Sequence, residues 1–167
     1  MPHMIETDRL YLRKIAAIDW EEFRDYAGSD RSVPSGGPHS EGQAWRTFAT
    51  WVGHWQLRGY GLLVFCLRSA PAKAIGIAGP FFPPDWPEPE IGWQIWNPDY
   101  EGKGYAYEAA DATRRWTRLT LGWQRPVSYI REENERSIRL AEKLGCVRDD
   151  SAKRRPDGAP VWRHPEL

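Results

Sequence analysis

The 167-residue sequence has two cysteines, two methionines, no excess of either charge and no long apolar run, and each shortage excludes something. Cys66 and Cys146 are too few and too far apart to define a disulfide framework, and both sit in apolar stretches that read as core thiols. Lys and Arg number 23, as do Asp and Glu, for a net charge of +0. Nucleic acid and anionic bilayers select a basic excess, so neither is expected as a partner. The longest apolar run, Gly61 to Leu67, is far short of the roughly 20 residues a spanning helix needs. Met1 to Glu6 carries no apolar core of a signal peptide, which makes a cytoplasmic location the expectation.

Familiar site motifs are missing too. There is no Walker sequence and no Gly-x-Ser-x-Gly. Gly102 and Gly104 are followed by Tyr107 where a dinucleotide fingerprint needs its third glycine. The histidines (His3, His39, His54, His164) are scattered and none lies beside a cysteine, so no metal site is expected.

What is present suits a folded domain. Apolar residues make up 41% and charged residues 28%, with a mean hydropathy of -0.68. That is enough to bury a core without staples, and a single domain over 1-167 is expected. Ten tryptophans supply large, stiff packing surfaces.

Arg9 to Arg13 alternates and reads as a strand. Asp19 can cap a helix carrying Trp20, Phe23 and Ala27, and residues 28–39 read as a loop with nothing to bury. Ser40 and Gln43 form a capping box for a second helix with Trp45, Phe48, Val52 and Trp55 on its stripe, ending at Gly59. Leu62 to Leu67 and Ala74 to Ala78 flank Ser69-Ala70-Pro71 as a hairpin. Pro80 to Pro89 reads as a stiff loop before Glu90 to Ile95 alternates again. A glycine loop, Glu101-Gly102-Lys103-Gly104, enters a helix with Ala109, Ala112, Trp116 and Leu119 on one face. Val127 to Ile130 is a strand, Asn134 to Gly145 a capped helix, and Pro156-Asp157-Gly158 announces a terminal hairpin with Val161 to Arg163. This order predicts a mixed α/β fold.

Glycines at 102 and 104 let backbone N–H groups converge on an anion at a helix N-terminus, as a pyrophosphate requires, although a tight strand-to-helix turn needs glycines as well. Four segments, in order, resemble the GNAT superfamily of N-acetyltransferases, in its RimJ/RimL-like branch. They are Thr7-Asp8-Arg9-Leu10-Tyr11-Leu12-Arg13; Glu90-Ile91-Gly92-Trp93; Gly102-Lys103-Gly104-Tyr105-Ala106-Tyr107-Glu108-Ala109; and Asn134 to Gly145 with Ser137 and Lys143. The resemblance implies a mostly antiparallel twisted sheet flanked by about four helices, its fourth and fifth strands splayed apart.

It also implies an acetyl-CoA site. Gly102, Lys103, Gly104, Tyr105 and Ala106 would hold the pyrophosphate. The pantetheine arm would pair with backbone around Trp93, Ile95 and Trp96, like an added strand. Asn134 and Ser137 would reach the thioester end and Lys143 would neutralise a phosphate. Each has a plainer reading as helix cap, first-turn residue and solvated cation. No metal is implied.

Acetyl transfer to an amine needs a base, a donor for the developing oxyanion and a proton for the thiolate. Glu90, half-buried beside Trp86 and Trp93 on the face of Gly92 and Gln94, is the candidate base; backbone N–H is the oxyanion donor. Many relatives carry a tyrosine at the position of Ala141, so Ser137 or water is left as the acid. Glu101 stands where relatives often have Gln or Arg and brings an unfavourable charge. Five acids from Asp85 to Glu101, with no Lys or Arg between, favour a cationic amine at the entrance, and Trp45, Trp51 and Trp55 are candidates to line it. The alternative is a non-catalytic acyl-CoA-binding module. A homodimer through an exposed sheet edge is compatible with either.

Overall fold

The computed structural model describes residues 4–166. Eight strands form one sheet: β1 (Ile5–Glu6), β2 (Leu10–Lys14), β3 (Leu63–Leu67), β4 (Ala74–Phe81), β5 (Glu90–Ile95), β6 (Val127–Tyr129), β7 (Val147–Arg148) and β8 (Val161–Arg163). Their order is β1-β2-β3-β4-β5-β6-β8-β7, antiparallel except for β5 beside β6. Both outer strands have only two residues, which leaves little ladder at either edge. Four α-helices accompany the sheet: α1 (Trp20–Ala27), α2 (Glu41–Arg58), α3 (Tyr105–Leu121) and α4 (Glu135–Lys143).

Alternation in β2 buries Leu10 and Leu12 completely, and they join Phe23, Phe48, Phe65 and Ile77 in the principal core. The β3–β4 hairpin forms as expected. The Phe65 ring lies where a side chain on Gly76 would go, since a Cβ there would sit 2.4 Å from its Cζ. The helix α3 crosses β2, β4 and β5. No helix among the described residues is long and apolar enough to cross a membrane.

Several local expectations are corrected. Asp19 does not cap α1. Its carboxylate takes both guanidinium forks of Arg13 at 2.7 and 2.8 Å and the Ala16 N–H at 2.9 Å, a buried pair that outcompetes the cap. The buried stripe of α2 is Ala44, Phe48, Trp51 and Trp55, leaving Trp45 and Val52 exposed. In α3 the buried face runs through Ala109, Thr113 and Thr117, while Leu119 is 86% exposed. Both threonines enter the core because their hydroxyls donate to carbonyls one turn back, Ala109 and Thr113.

Residues 28–39 are no bare loop. A 3-10 turn spans Asp30–Ser35, and Ser32 is buried with its hydroxyl on Ala27. Strand β4 runs on through Pro80, which is tolerated because the β3 ladder has already ended at Leu63 and Ala78. The turn at 156–158 closes within the connection between β7 and β8, which pair antiparallel as the expected terminal hairpin, and β8 pairs with β6 on its other side.

Candidate active site

The two-residue β1 moves the strand count by one, so the splayed pair is β5 and β6. Their ladder holds a single register pair, Glu90 with Val127. Beyond it the strands part. The Trp96 N–H turns back to Ile75 at 2.9 Å, and alternation therefore aims the backbone groups of Ile91, Trp93 and Ile95 into the opening. Ser128 Oγ donates to the Ile91 carbonyl at 2.6 Å. Arg31, from the turn between α1 and α2, donates to the carbonyls of Ile95 and Trp96. Trp96 is corrected as a pairing residue: its N–H belongs to β4 and its ring is buried against Phe23.

A cavity of about 610 Å³ occupies this opening, and Glu90, Trp93, Asn134 and Ser137 all line it. Gly92 leaves the β5 face open beside Glu90, since a Cβ there would lie 4.0 Å from the carboxylate. Glu90 is 8% exposed. Burial pushes its pKa above the ordinary carboxylate value against three opposing influences: Arg155 at 3.9 Å, the Trp86 indole N–H at 2.5 Å and the Tyr129 N–H at 3.5 Å.

Asn134 caps α4, its side-chain oxygen accepting the Ser137 N–H at 3.3 Å, and also faces the cavity. Ser137 Oγ accepts the Trp93 indole N–H at 3.3 Å, which leaves its own proton available. Ala141, one turn on, is fully buried with Ala110, Ile130 and Leu144. Of the α2 tryptophans only Trp51 lines the cavity; Trp55 donates to Leu62 in the core and Trp45 meets Trp20 edge-on.

The glycine loop lies apart from the cavity lining. Gly102 and Gly104 have φ of +70° and +80°, a conformation that favours glycine, and Gly104 is the N-cap of α3 with no side chain capping it. First-turn N–H groups at Tyr105 and Ala106 have no carbonyl within the helix to meet. Arg9 braces the loop from outside, donating to the Lys103 carbonyl at 2.9 Å and to Glu108 at 2.6 Å, with its guanidinium over the Tyr105 ring. Glu108 also accepts the Thr7 hydroxyl, which ties the first quoted segment to α3. Lys103 lies over Tyr100, and Lys143 over Tyr107 in the first turn of α3.

Glu101 does not present a bare charge. Arg31 and Arg136 both donate to it, and together they outweigh burial and hold its pKa below the usual value. Sequence reasoning missed Arg31, Arg131 and Arg155, since each comes from an unrelated stretch of chain and only the fold brings it to the site. Among the described residues no group of three His, Cys, Asp or Glu side chains could hold a metal.

These features, a split parallel pair beside a glycine loop at a helix N-terminus, coincide with a family. The acetyltransferase (GNAT) domain model matches residues 9–147, and the chain belongs to that family. A crystal structure of an acetyltransferase from Agrobacterium tumefaciens str. C58 is 35% identical, with a TM-score of 0.91 over 99% of this chain and 95% of that one. An uncharacterized N-acetyltransferase of Bacillus subtilis, YnaD, is 36% identical over 74 residues, which are 44% of this chain and 43% of that relative's length. The aminoglycoside acetyltransferase AAC(6')-Ib, solved in complex with coenzyme A, shares the fold with a TM-score of 0.76 at 17% identity, over 94% of each chain.

Proposed function

We propose that the chain transfers an acetyl group from acetyl-CoA to a primary amine by direct attack in a ternary complex. The observation that carries this reading is the meeting of a buried carboxylate, Glu90, and the Ser137 hydroxyl, whose proton goes to no partner among the described residues, on one cavity between β5 and β6. A coenzyme A complex of a protein with the same fold supports the donor. So does the chemistry of the chain: an uncapped helix N-terminus behind two left-handed glycines suits a pyrophosphate, and unpaired strand backbone at Trp93 suits the amides of pantetheine.

Gly102, Lys103, Gly104, Tyr105 and Ala106 would hold the pyrophosphate through backbone N–H groups, with Lys143 supplying positive charge nearby. Bound acetyl-CoA would supply a thioester whose C–S bond is exchanged for a C–N bond to the amine. The attacking ammonium must lose two protons. Glu90 accepts one, directly or through a water, and passes it to solvent; the departing sulfur ends with the other, delivered by Ser137 or water. The Trp93 N–H, aimed into the opening, is the donor toward the oxygen that gains charge. Ala141 contributes no acid. The RimJ/RimL-like branch rests on the quoted sequence segments alone.

The test is coenzyme A release in the presence of acetyl-CoA and a panel of amines, followed as free thiol and as N-acetylated product by mass. Release that falls at least 100-fold in Glu90→Gln supports the reading. Acetyl-CoA binding without release for any amine identifies a binding module instead.

A further inference from the structure

Two of the five acids between Asp85 and Glu101 are taken up by arginines rather than presented to the opening. Arg163 holds Glu88 through both oxygens at 2.8 and 2.9 Å, and Arg31 and Arg136 hold Glu101. The cavity itself carries three arginines, Arg46, Arg131 and Arg155, beside three carboxylates, Asp85, Glu90 and Asp157. Arg155 is engaged, with two donors on Asp157 at 2.7 and 2.8 Å. Arg131 reaches only the same Asp157, at 3.5 Å, and that carboxylate is already shared with Arg155 and the Ala159 N–H. Arg46 makes no ion pair among the described residues. Two guanidinium groups thus face the cavity with most of their donors free, in the chamber that contains the proposed base. The glycine loop does not line this chamber, so these arginines are separate from the pyrophosphate site.

We propose that the acceptor is a small amine carrying its own carboxylate, an amino-acid-like molecule whose anionic end is held by Arg131 with Arg46 at the rim while its amine faces Glu90. The inference rests on the acetyl-transfer reading and narrows it. A planar guanidinium fork matches a carboxylate in geometry as well as charge. The remaining wall is aromatic, with Trp51, Phe81, Trp86 and Tyr129, and suits an apolar side chain between the two polar ends. A polyamine or aminoglycoside would bring further cations toward the arginines. A protein N-terminus has its first carboxyl group locked in an amide and offers the fork no charge.

Matched pairs test this: N-acetylleucine against N-acetylisopentylamine, and N-acetylphenylalanine against N-acetylphenethylamine, titrated calorimetrically into the protein with coenzyme A present. The expected result is at least tenfold tighter binding of each carboxylated member. That ratio should fall toward one in Arg131→Gln and decrease in the exposed Arg46→Gln, with unchanged circular dichroism for both variants. Thiol release with the parent amines should show the same order in kcat/KM.

Equal binding within each pair, or a ratio that survives both substitutions, overturns the inference. Release of coenzyme A with uncarboxylated amines at equal or higher kcat/KM also overturns it while leaving acetyl transfer intact. Selective binding of the carboxylated members with no release for any amine leaves the anion site standing and removes the acetyl-transfer reading.

Discussion

The indole N–H of Trp86 meets Oε2 of Glu90 at 2.5 Å, so the charged form of a deeply buried carboxylate is supported by a residue of the Pro-rich segment just upstream. Because burial outweighs this help, the Glu90 pKa lies above the usual carboxylate value. The base form is the active one. The account therefore predicts that kcat/KM falls as pH is lowered through that raised pKa, and that the limb disappears in Glu90→Gln. In Trp86→Phe a bond to the charged form is lost, so the limb moves to higher pH. A pH–rate profile of the three proteins checks both directions.

Gly104→Glu forces a side chain into a left-handed position (φ +80°) and sets a carboxylate at the N-terminus of α3. Acetyl-CoA affinity should fall at least tenfold. Gly122→Glu imposes a similar backbone demand (φ +71°) in open space at the other end of the same helix, and should leave affinity unchanged. Isothermal titration of the two variants separates the anion cradle from strain alone.

His164 is fully buried, and Ser128 donates to Ile91, so the serine accepts from His164 Nε2 at 3.0 Å and the imidazole is neutral. Burial first, then Arg114, lowers its pKa from 6.5 to about 3. Unfolding lets it take up a proton below pH 6.5. Stability from this residue is thus complete above pH 6.5 and declines toward pH 3, with a limiting slope of about 1.4 kcal/mol per pH unit. Thermal unfolding from pH 7 to 4 should show a shallower decline in His164→Gln than in the native protein.

Both thiols are buried, and the Cys146 pKa is pushed up to about 12 by burial. A thiol-specific reagent should label neither in the native protein at pH 7.5 and both after denaturation. A labelled native thiol would contradict the packing described for β3 and for the cluster around α4.

The parts of this fold legible in the sequence were those set by local pattern. Alternation put Glu90, Gly92 and Gln94 on one face, the capping box started α2 at Ser40, and glycines marked the loop before α3. What stayed hidden depends on side-chain partners that no local pattern announces. Asp19 looks like a helix cap until Arg13 folds onto it. Glu101 looks like a repulsive charge until Arg31 and Arg136 arrive, and of the five acids in the run that ends with it, Glu88 and Glu101 are claimed by arginines while Asp85 and Glu90 line the cavity. The cavity arginines share no motif, since Arg46 lies on α2 and Arg131 and Arg155 follow β6 and β7. The α2 and α3 stripes were misjudged because large apolar residues outrank alanine and threonine by hydrophobicity, while the close contacts in the fold select Ala44, Thr113 and Thr117.

The central claim is tested most directly by coenzyme A release with acetyl-CoA, run against matched amino acids and amines, with the N-acetylated product weighed by mass spectrometry. The account predicts one thiol released per N-acetylated amine and a fall of at least 100-fold in Glu90→Gln. Saturable acetyl-CoA binding with no thiol release across the panel, or release that is indifferent to Glu90, would contradict it.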